Sequence, residues 1–246
     1  MTIDSDEELE GLLRAGRVVA EARDAMVAAV KPGVTTGELD TIGRETFRRH
    51  GARSAPRVTY NFPGSTCVSV NDEAAHGIPS LSRHLREGDL VNIDVSAELD
   101  GYFSDTGVST PVGVVSEIAQ RLLEATRLTQ QDAMSTARAG NRLRDIGKMV
   151  ESRARRHGFR VIRNLYGHGV GRGLHEDPDV PNFDDHQRLV LRDGMVLAVE
   201  PFLSVSASFV VDDPDGWTLR TNDGSLVAQF EHTMVVTAGA PIVLTE

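Results

Sequence analysis

The sequence predicts an α+β fold. Two related halves, each two helices followed by strands, join in one sheet-and-helix body with a site between them. Three observations carry this prediction. The stretch from Leu90 to Thr110 reads LVNIDVSAEL, then DG, then YFSDTGVST. Asp100-Gly101 between two strand-like runs signals a two-residue hairpin turn. The order of two helices, a histidine-bearing loop and acid-bearing strands occurs twice along the chain. Short echoes mark the repeat: LDTIG (39–43) with LRDIG (143–147), RRHG (48–51) with RRHG (155–158), and LREGDLVNID (85–94) with LRDGMVLAVE (191–200). Their offsets of 104, 107 and 106 residues nearly coincide, and the last lays Glu200 over Asp94.

The elements follow in order. Ser5 or Asp4 caps a helix that runs to about Val30, with acids in its first turn. Its apolar positions, among them Leu9, Leu12, Val19, Ala22 and Met26, recur near helical spacing, and Pro32-Gly33 stops it. Thr36 opens a second helix that closes at His50-Gly51. Residues 52–64, with Pro56, Pro63 and Gly64, read as irregular, 66–70 as a short strand and 71–80 as a loop. After the hairpin, Ser116 opens a helix to about Ala139, and another runs from about Asn141 to His157 before Gly158. VIRNLY (161–166) is strand-like and leads into GHGVGRGLHE. Residues 195–205 read as one strand, and Trp217–Thr221 with 225–236 as another hairpin around Asn222-Asp223-Gly224.

Bulk composition narrows the function. The 246 residues can bury a substantial core without staples. A net charge of -10 argues against a general nucleic-acid-binding role. Cys67 is the single cysteine, so no intrachain disulfide forms, which fits a reducing compartment. MTIDSDEELE is acidic and lacks the apolar core of a signal peptide, and no apolar run approaches the roughly 18 residues of a membrane span. The expected location is the cytoplasm.

The chemistry starts at the hairpin. Its turn pairs Leu99 with Tyr102 and sets Asp105 opposite Ser96. Asp94 then becomes the diagonal neighbour of Asp105 on the same face, with Cα atoms roughly 7–8 Å apart. That separation suits two acids gripping one metal ion, or a pair about 3.5–4 Å apart. The plain alternative is two acids on a solvated strand face, but Asp is depleted in strands and Val91, Ile93, Val95 and Phe103 look core-bound. If Glu200 is the counterpart of Asp94, FSDT (103–106) matches FEHT (230–233) and places Glu231 within one position of the expected fourth acid. Four unpaired carboxylates would repel one another strongly, and two divalent cations would cancel their charge.

A dinuclear site also takes an imidazole. GHGVGRGLHE offers His168 and His175, and its glycines make a helix improbable. If the run is extended, the odd spacing sends the two histidines to opposite sides, one to metal and one to substrate. His76 in AAHGIPS is a third candidate. His50, His84, His157 and His186 sit among polar neighbours and read as surface, and His232 points away from Glu231. Two bridged ions lower the pKa of a shared water and polarise a carbonyl, while nearby histidines serve the oxyanion or the leaving nitrogen. This describes amide hydrolysis. Neither a phosphate-binding glycine loop with its lysine nor an arginine cluster near the acids points to phosphate esters.

Together NDEAAHGIP, VNIDVSAELDGYFSDT, GHGVGRGLHEDP, VLAVEP and FEHTMVVT resemble the type I methionine aminopeptidases of the pita-bread fold. The resemblance spans nearly the whole chain. It implies two pseudo-symmetric helix–helix–strand halves around a central antiparallel sheet, in a single catalytic domain over 1–246 with halves of about 1–110 and 111–246. It implies two divalent ions, Co, Mn, Fe or Zn, and roles for seven residues. Asp94 would be an outer ligand, and Asp105 and Glu231 would bridge. His168 and Glu200 would complete the other metal's shell, with Glu200 also handling the proton of the nucleophilic water. His175 would stabilise the tetrahedral intermediate, and His76 would contact the scissile amide. The methionine pocket would use Cys67, Tyr60, Phe62 and Trp217. Leu174 and TYNFP (59–63) depart from the family pattern, which bears on pocket shape. The implied substrate is the N-terminal methionine of nascent proteins, with the ribosome as a docking partner, a monomeric state, no stable nucleic-acid binding and no membrane. The alternatives are an Xaa-Pro-type aminopeptidase of the same fold and a catalytically silent pita-bread binding protein.

Overall fold

A computed structural model describes residues 1–246. Local chemistry sets the helix ends. Helix α1 (Asp6–Ala28) starts at Ser5, whose Oγ accepts from the Glu8 N–H at 3.3 Å. Helix α2 (Thr36–His50) opens on a capping box. Thr35 Oγ1 accepts from the Glu38 N–H at 3.1 Å, and the Glu38 carboxylate accepts from the Thr35 N–H at 2.8 Å. Strand β1 (Arg53–Ser54) and the short helix α3 (Ala55–Tyr60) occupy the stretch expected to be irregular. Pro56 does not break α3 because it lies in the first turn, where no backbone N–H is needed. Helix α4 (Glu117–Thr136) starts on Ser116, and α5 (Leu143–His157) ends on Gly158 at φ 82°.

The remaining strands are β2 (Cys67–Val70), β3 (Glu73–Ala75), β4 (Leu90–Leu99), β5 (Tyr102–Pro111), β6 (Arg160–Val161), β7 (Gly167–Gly169), β8 (Glu176–Val180), β9 (Val196–Val199), β10 (Phe202–Ser204), β11 (Val210–Asp212), β12 (Leu219–Thr221), β13 (Val227–Val235) and β14 (Ile242–Val243). Eleven of the strands form one sheet along the path β1-β4-β5-β13-β9-β7-β8, and its pairings are antiparallel. The β4–β5 hairpin has the predicted register, Leu99 with Tyr102 and Ser96 with Asp105. The pairs β4–β5 and β9–β13 meet where β5 runs beside β13, with Gly107 opposite Glu231.

Each half has its own apolar core. Val91, Ile93, Val95 and Ala97 of β4 pack with Val18, Val19 and Ala22 of α1 and Leu39 and Phe47 of α2. The larger core joins Leu122 and Ala125 of α4 and Ile146 and Val150 of α5 to Leu197, Val199 and Met234 of β9 and β13. Strand alternation does the rest: with odd β4 positions turned to the helices, Asn92, Asp94 and Ser96 face the other side of the sheet.

Further expected elements differ, and the 71–80 stretch read as a loop holds strand β3. The run 195–205 is not one strand: β9 stops at Val199 and β10 starts at Phe202. Pro201 lacks the N–H that a continuous ladder needs, and Glu200 sits in the break. Residues 217–236 do not form a hairpin. Strand β12 pairs with β11 and β3 in a separate three-stranded sheet, while β13 pairs with β5, β9, β10 and β14. Within VIRNLY only Val161 is in a strand, at the end of β6.

Candidate active site

Residues from both halves meet over the β5–β13 seam. Asp94 projects from β4, Asp105 from β5 and Glu231 from β13, all on the face away from the helices. Glu200 comes from the Pro201 break and His168 from the middle of β7. One ligand atom each from Asp105, His168 and Glu231 lies within 4.8 Å of the other two, and all three residues are buried. His168 Nε2 is 3.4 Å from Glu200 Oε1 and 3.8 Å from Asp105 Oδ2.

Electrostatics mark this cluster as incomplete by itself. Desolvation raises the Asp94 pKa to about 6. It raises Asp105, Glu200 and Glu231 well above the carboxylate range, and mutual repulsion among the acids adds to it. Burial, then the neighbouring His175, pulls His168 down to about 3. A neutral imidazole beside carboxylates is a ligand set in search of a cation. Asp105 Oδ1 and Glu231 Oε1 are buried with no hydrogen-bond partner, an expensive condition unless a metal takes those lone pairs. The donor set therefore fits divalent ions.

Hydrogen bonds hold Asp105 and Glu231 in place. Thr233 Oγ1 accepts from the Asp105 N–H at 2.9 Å and donates to the Asp105 carbonyl at 2.7 Å. Gln229 Nε2 donates to Glu231 Oε2 at 2.9 Å, and Asn92 Nδ2 holds Gln229 Oε1 at 2.8 Å. Such partners orient ligands and tune affinity. Sequence reading missed them. The signal lay in strand alternation, since Asn92, Asp94 and Gln229, Glu231, Thr233 share the period of two.

The cluster floors a cavity of about 410 Å³. All eleven site residues read from the sequence line it: His76, His175, Glu200, Cys67, Tyr60, Phe62, Trp217, Asp94, Asp105, His168 and Glu231. Leu174 lines it too, together with Leu165, Tyr166 and Phe202, which sequence reading did not single out. Phe62 and Trp217 pack edge to face with ring centroids 5.2 Å apart. Cys67 lies directly across from Asp94 on β2, and burial raises its thiol pKa well above the ordinary value.

The histidines need one correction. His168 and His175 do not point to opposite sides; their ring centroids are 4.2 Å apart. The intervening glycine-rich run reverses instead of staying extended, with Gly171 at φ 146°. Tyr60 Oη lies 2.6 Å from His175 Nδ1. His76 follows β3 at φ 57°, which turns its ring into the cavity. Both rings open onto the cavity, yet the surrounding walls lower their pKa values by desolvation, His175 to about 4. His50, His84 and His186 are exposed and His157 is half-buried. His232 faces away from the site and contacts Thr245 Oγ1 at 2.7 Å.

Buried acids and a neutral imidazole beneath an apolar-walled cavity define a divalent-metal site of hydrolytic type. Residues 10–238 match Metallopeptidase family M24, and the chain belongs to that family. "Methionine aminopeptidase 2" of Bacillus subtilis is 48% identical over 248 residues, covering 100% of each chain. "Methionine aminopeptidase" of Aquifex aeolicus is 40% identical over 98% of this chain and 97% of its own. The crystal structure of a methionine aminopeptidase from Thermotoga maritima superposes with a TM-score of 0.97 at 38% identity, covering 100% of both chains. The resemblance and the pita-bread fold read from the motifs are thereby borne out. A prolidase structure from Pyrococcus horikoshii, at 23% identity and a TM-score of 0.77, shares the fold alone, and this chain covers 63% of it. No helix is long and apolar enough to cross a membrane.

Proposed function

We propose that this chain is a methionyl aminopeptidase that removes N-terminal methionine from nascent polypeptides, using two divalent ions. It acts as one catalytic domain over 1–246, with halves of about 1–110 and 111–246, as a cytoplasmic monomer that meets its substrate near the ribosome. The observation that carries the reading is the buried Asp105–His168–Glu231 cluster at the floor of a cavity with aromatic and aliphatic walls. Relatives named for this activity, at 40–48% identity over nearly the whole chain, support it.

Asp94, Asp105, His168, Glu200 and Glu231 would hold the ions. The bound ions supply Lewis-acid activation of water and of the scissile carbonyl. Glu200, buried beside His168, takes the proton of the attacking water. His175 is kept neutral by its surroundings and oriented by Tyr60, so it donates to the developing oxyanion. His76, which lines the same cavity, contacts the scissile amide and assists the departing amine. Cys67, Tyr60, Phe62 and Trp217 form the methionine pocket. An unbranched thioether suits such an irregular apolar space.

The test uses Met-Ala-Ser, Leu-Ala-Ser and Ala-Pro-Ala with chelator-stripped protein, with and without Mn or Co. Release of methionine alone, only with metal, is the expected result. Cleavage of the leucine or proline peptide instead would move the protein to another specificity. Metal binding without turnover would leave a silent binding protein.

A further inference from the structure

Both rings of the histidine run reach one cavity, so the backbone from His168 to His175 must be held in its reversal. Glu176, the residue after His175, supplies the hold. Its Oε1 accepts from the Arg172 N–H at 2.7 Å and from the Gly173 N–H at 2.6 Å. Its Oε2 accepts from the Met1 ammonium at 2.5 Å. Met1 is itself tied to the same region: its carbonyl accepts from the Val196 N–H at 3.0 Å. A Cβ on Gly171 would come within 2.6 Å of the Met1 side chain. One carboxylate thus closes the loop on itself and pins it, through Met1, against the start of β9. Glu176 does not line the cavity.

We propose that Glu176 is a positioning residue for His175. It fixes the backbone from which the imidazole projects, while Tyr60 fixes the ring at Nδ1. The arrangement is two-point: remove the backbone clamp and the ring swings about the one contact that remains. Charge-assisted acceptance from two adjacent N–H groups is short and directional, and a misplacement of about 1 Å in a reacting group can cost 10²-fold in rate. The inference rests on the reading of His175 as a reacting group, so its test includes a readout independent of turnover.

The experiment compares the full-length wild type with Glu176→Ala and Glu176→Gln. ¹⁵N-histidine spectra of the metal-free proteins report the His175 ring, assigned by His175→Gln; peptide kinetics follow on the Mn-loaded proteins. In Glu176→Ala the His175 signals should shift or broaden, and kcat should fall about 10–100-fold with KM within about twofold. Glu176→Gln keeps the Oε1 oxygen that takes both N–H groups and gives up only the Met1 contact at Oε2, so it should restore the spectrum and bring kcat to within about threefold of wild type. An unchanged His175 signal with unchanged kcat in Glu176→Ala overturns the proposal, as does Glu176→Gln failing as badly as Glu176→Ala. Should Glu176→Ala not fold, Glu176→Asp decides in its place: one methylene shorter, it should lose kcat while keeping the charge. A wild type with no peptide turnover would count against the aminopeptidase reading alone, because the ring signals still decide the role of Glu176.

Discussion

Asp105 faces Ser96 across the hairpin, while Asp94 faces Gly107, the same residue that lies beside Glu231 on the next strand. Gly107 therefore occupies the middle of the acid cluster, where any side chain would intrude. A Cβ there would come within 2.2 Å of Gln229 Oε1. Gly107→Ala should displace Gln229, release its grip on Glu231 and weaken Mn binding by about 10–100-fold without altering a ligand. Calorimetric titration of the variant checks this.

Asp105 is central to the proposed ligand set. Asp105→Ala should abolish both metal binding and activity, because it leaves the remaining carboxylates unbridged. Metal content after dialysis and peptide hydrolysis measure the two effects. Retained activity would sink the assignment of Asp105 as a bridge.

The pH dependence of stability separates metal-free from loaded protein. Asp94 is raised to about 6 by burial, and Asp105, Glu200 and Glu231 are raised further. A raised folded-state pKa contributes stability below the unfolded value near 4 and loses it as pH rises through the folded value. Buried His168 and half-buried His232, lowered to about 3 and 4, act the other way, losing their contribution as pH falls from about 6.5 towards those values, and His175, open to the cavity and lowered to about 4, adds a smaller, solvent-screened share. Well above about pH 6.5 the imidazoles are neutral in both states and the raised carboxylates act, joined towards alkaline pH by the buried Cys67 thiol, which is raised too. The Tm of chelator-stripped protein should therefore fall as pH rises above about 6.5, and saturating Mn should remove the fall. Calorimetric scans across that range provide the check.

Asp40 anchors the segment that leads into the cavity wall. Its Oδ1 accepts from the Ser65 N–H at 2.8 Å, the Thr66 N–H at 2.8 Å and Thr66 Oγ1 at 3.0 Å, and all three residues are buried. Asp40→Ala should cost about 3 kcal/mol, because it strands buried donors. Urea unfolding of the metal-free protein measures it.

Trp217 meets Phe62 edge to face in the proposed methionine pocket. Trp217→Ala should raise KM for Met-Ala-Ser roughly 10-fold, equivalent to about 1.4 kcal/mol of lost binding, with a smaller change in kcat. Steady-state kinetics separate the two parameters.

The hairpin register and the placing of Asp94 and Asp105 on one face were legible because both follow local rules. Asp100-Gly101 dictates the turn, and strand alternation then fixes which side Asp94 and Asp105 share. Glu200 was reachable only through the repeat, since its own position is a break caused by Pro201. What stayed hidden was long-range. Residues 217–221 carry a plausible hairpin pattern, yet β12 pairs with β3, almost 150 positions earlier in the chain. No local pattern specifies such a partner. The reversal between His168 and His175 was equally invisible, because the group that enforces it includes Met1, at the far end of the chain.

The carboxylate cluster also ties the lifetime of the chain to what the cell can supply. Four acids from four separated segments converge on the seam where the two halves join, and they repel one another until cations arrive. A ligand that binds only the folded form stabilises it in proportion to the logarithm of its free concentration. Copies that go without metal are thus the ones whose halves part most readily, and transiently opened chains are what proteases cut. Scarcity of the ion would then shrink the pool of protein itself, leaving fewer molecules, most of them loaded.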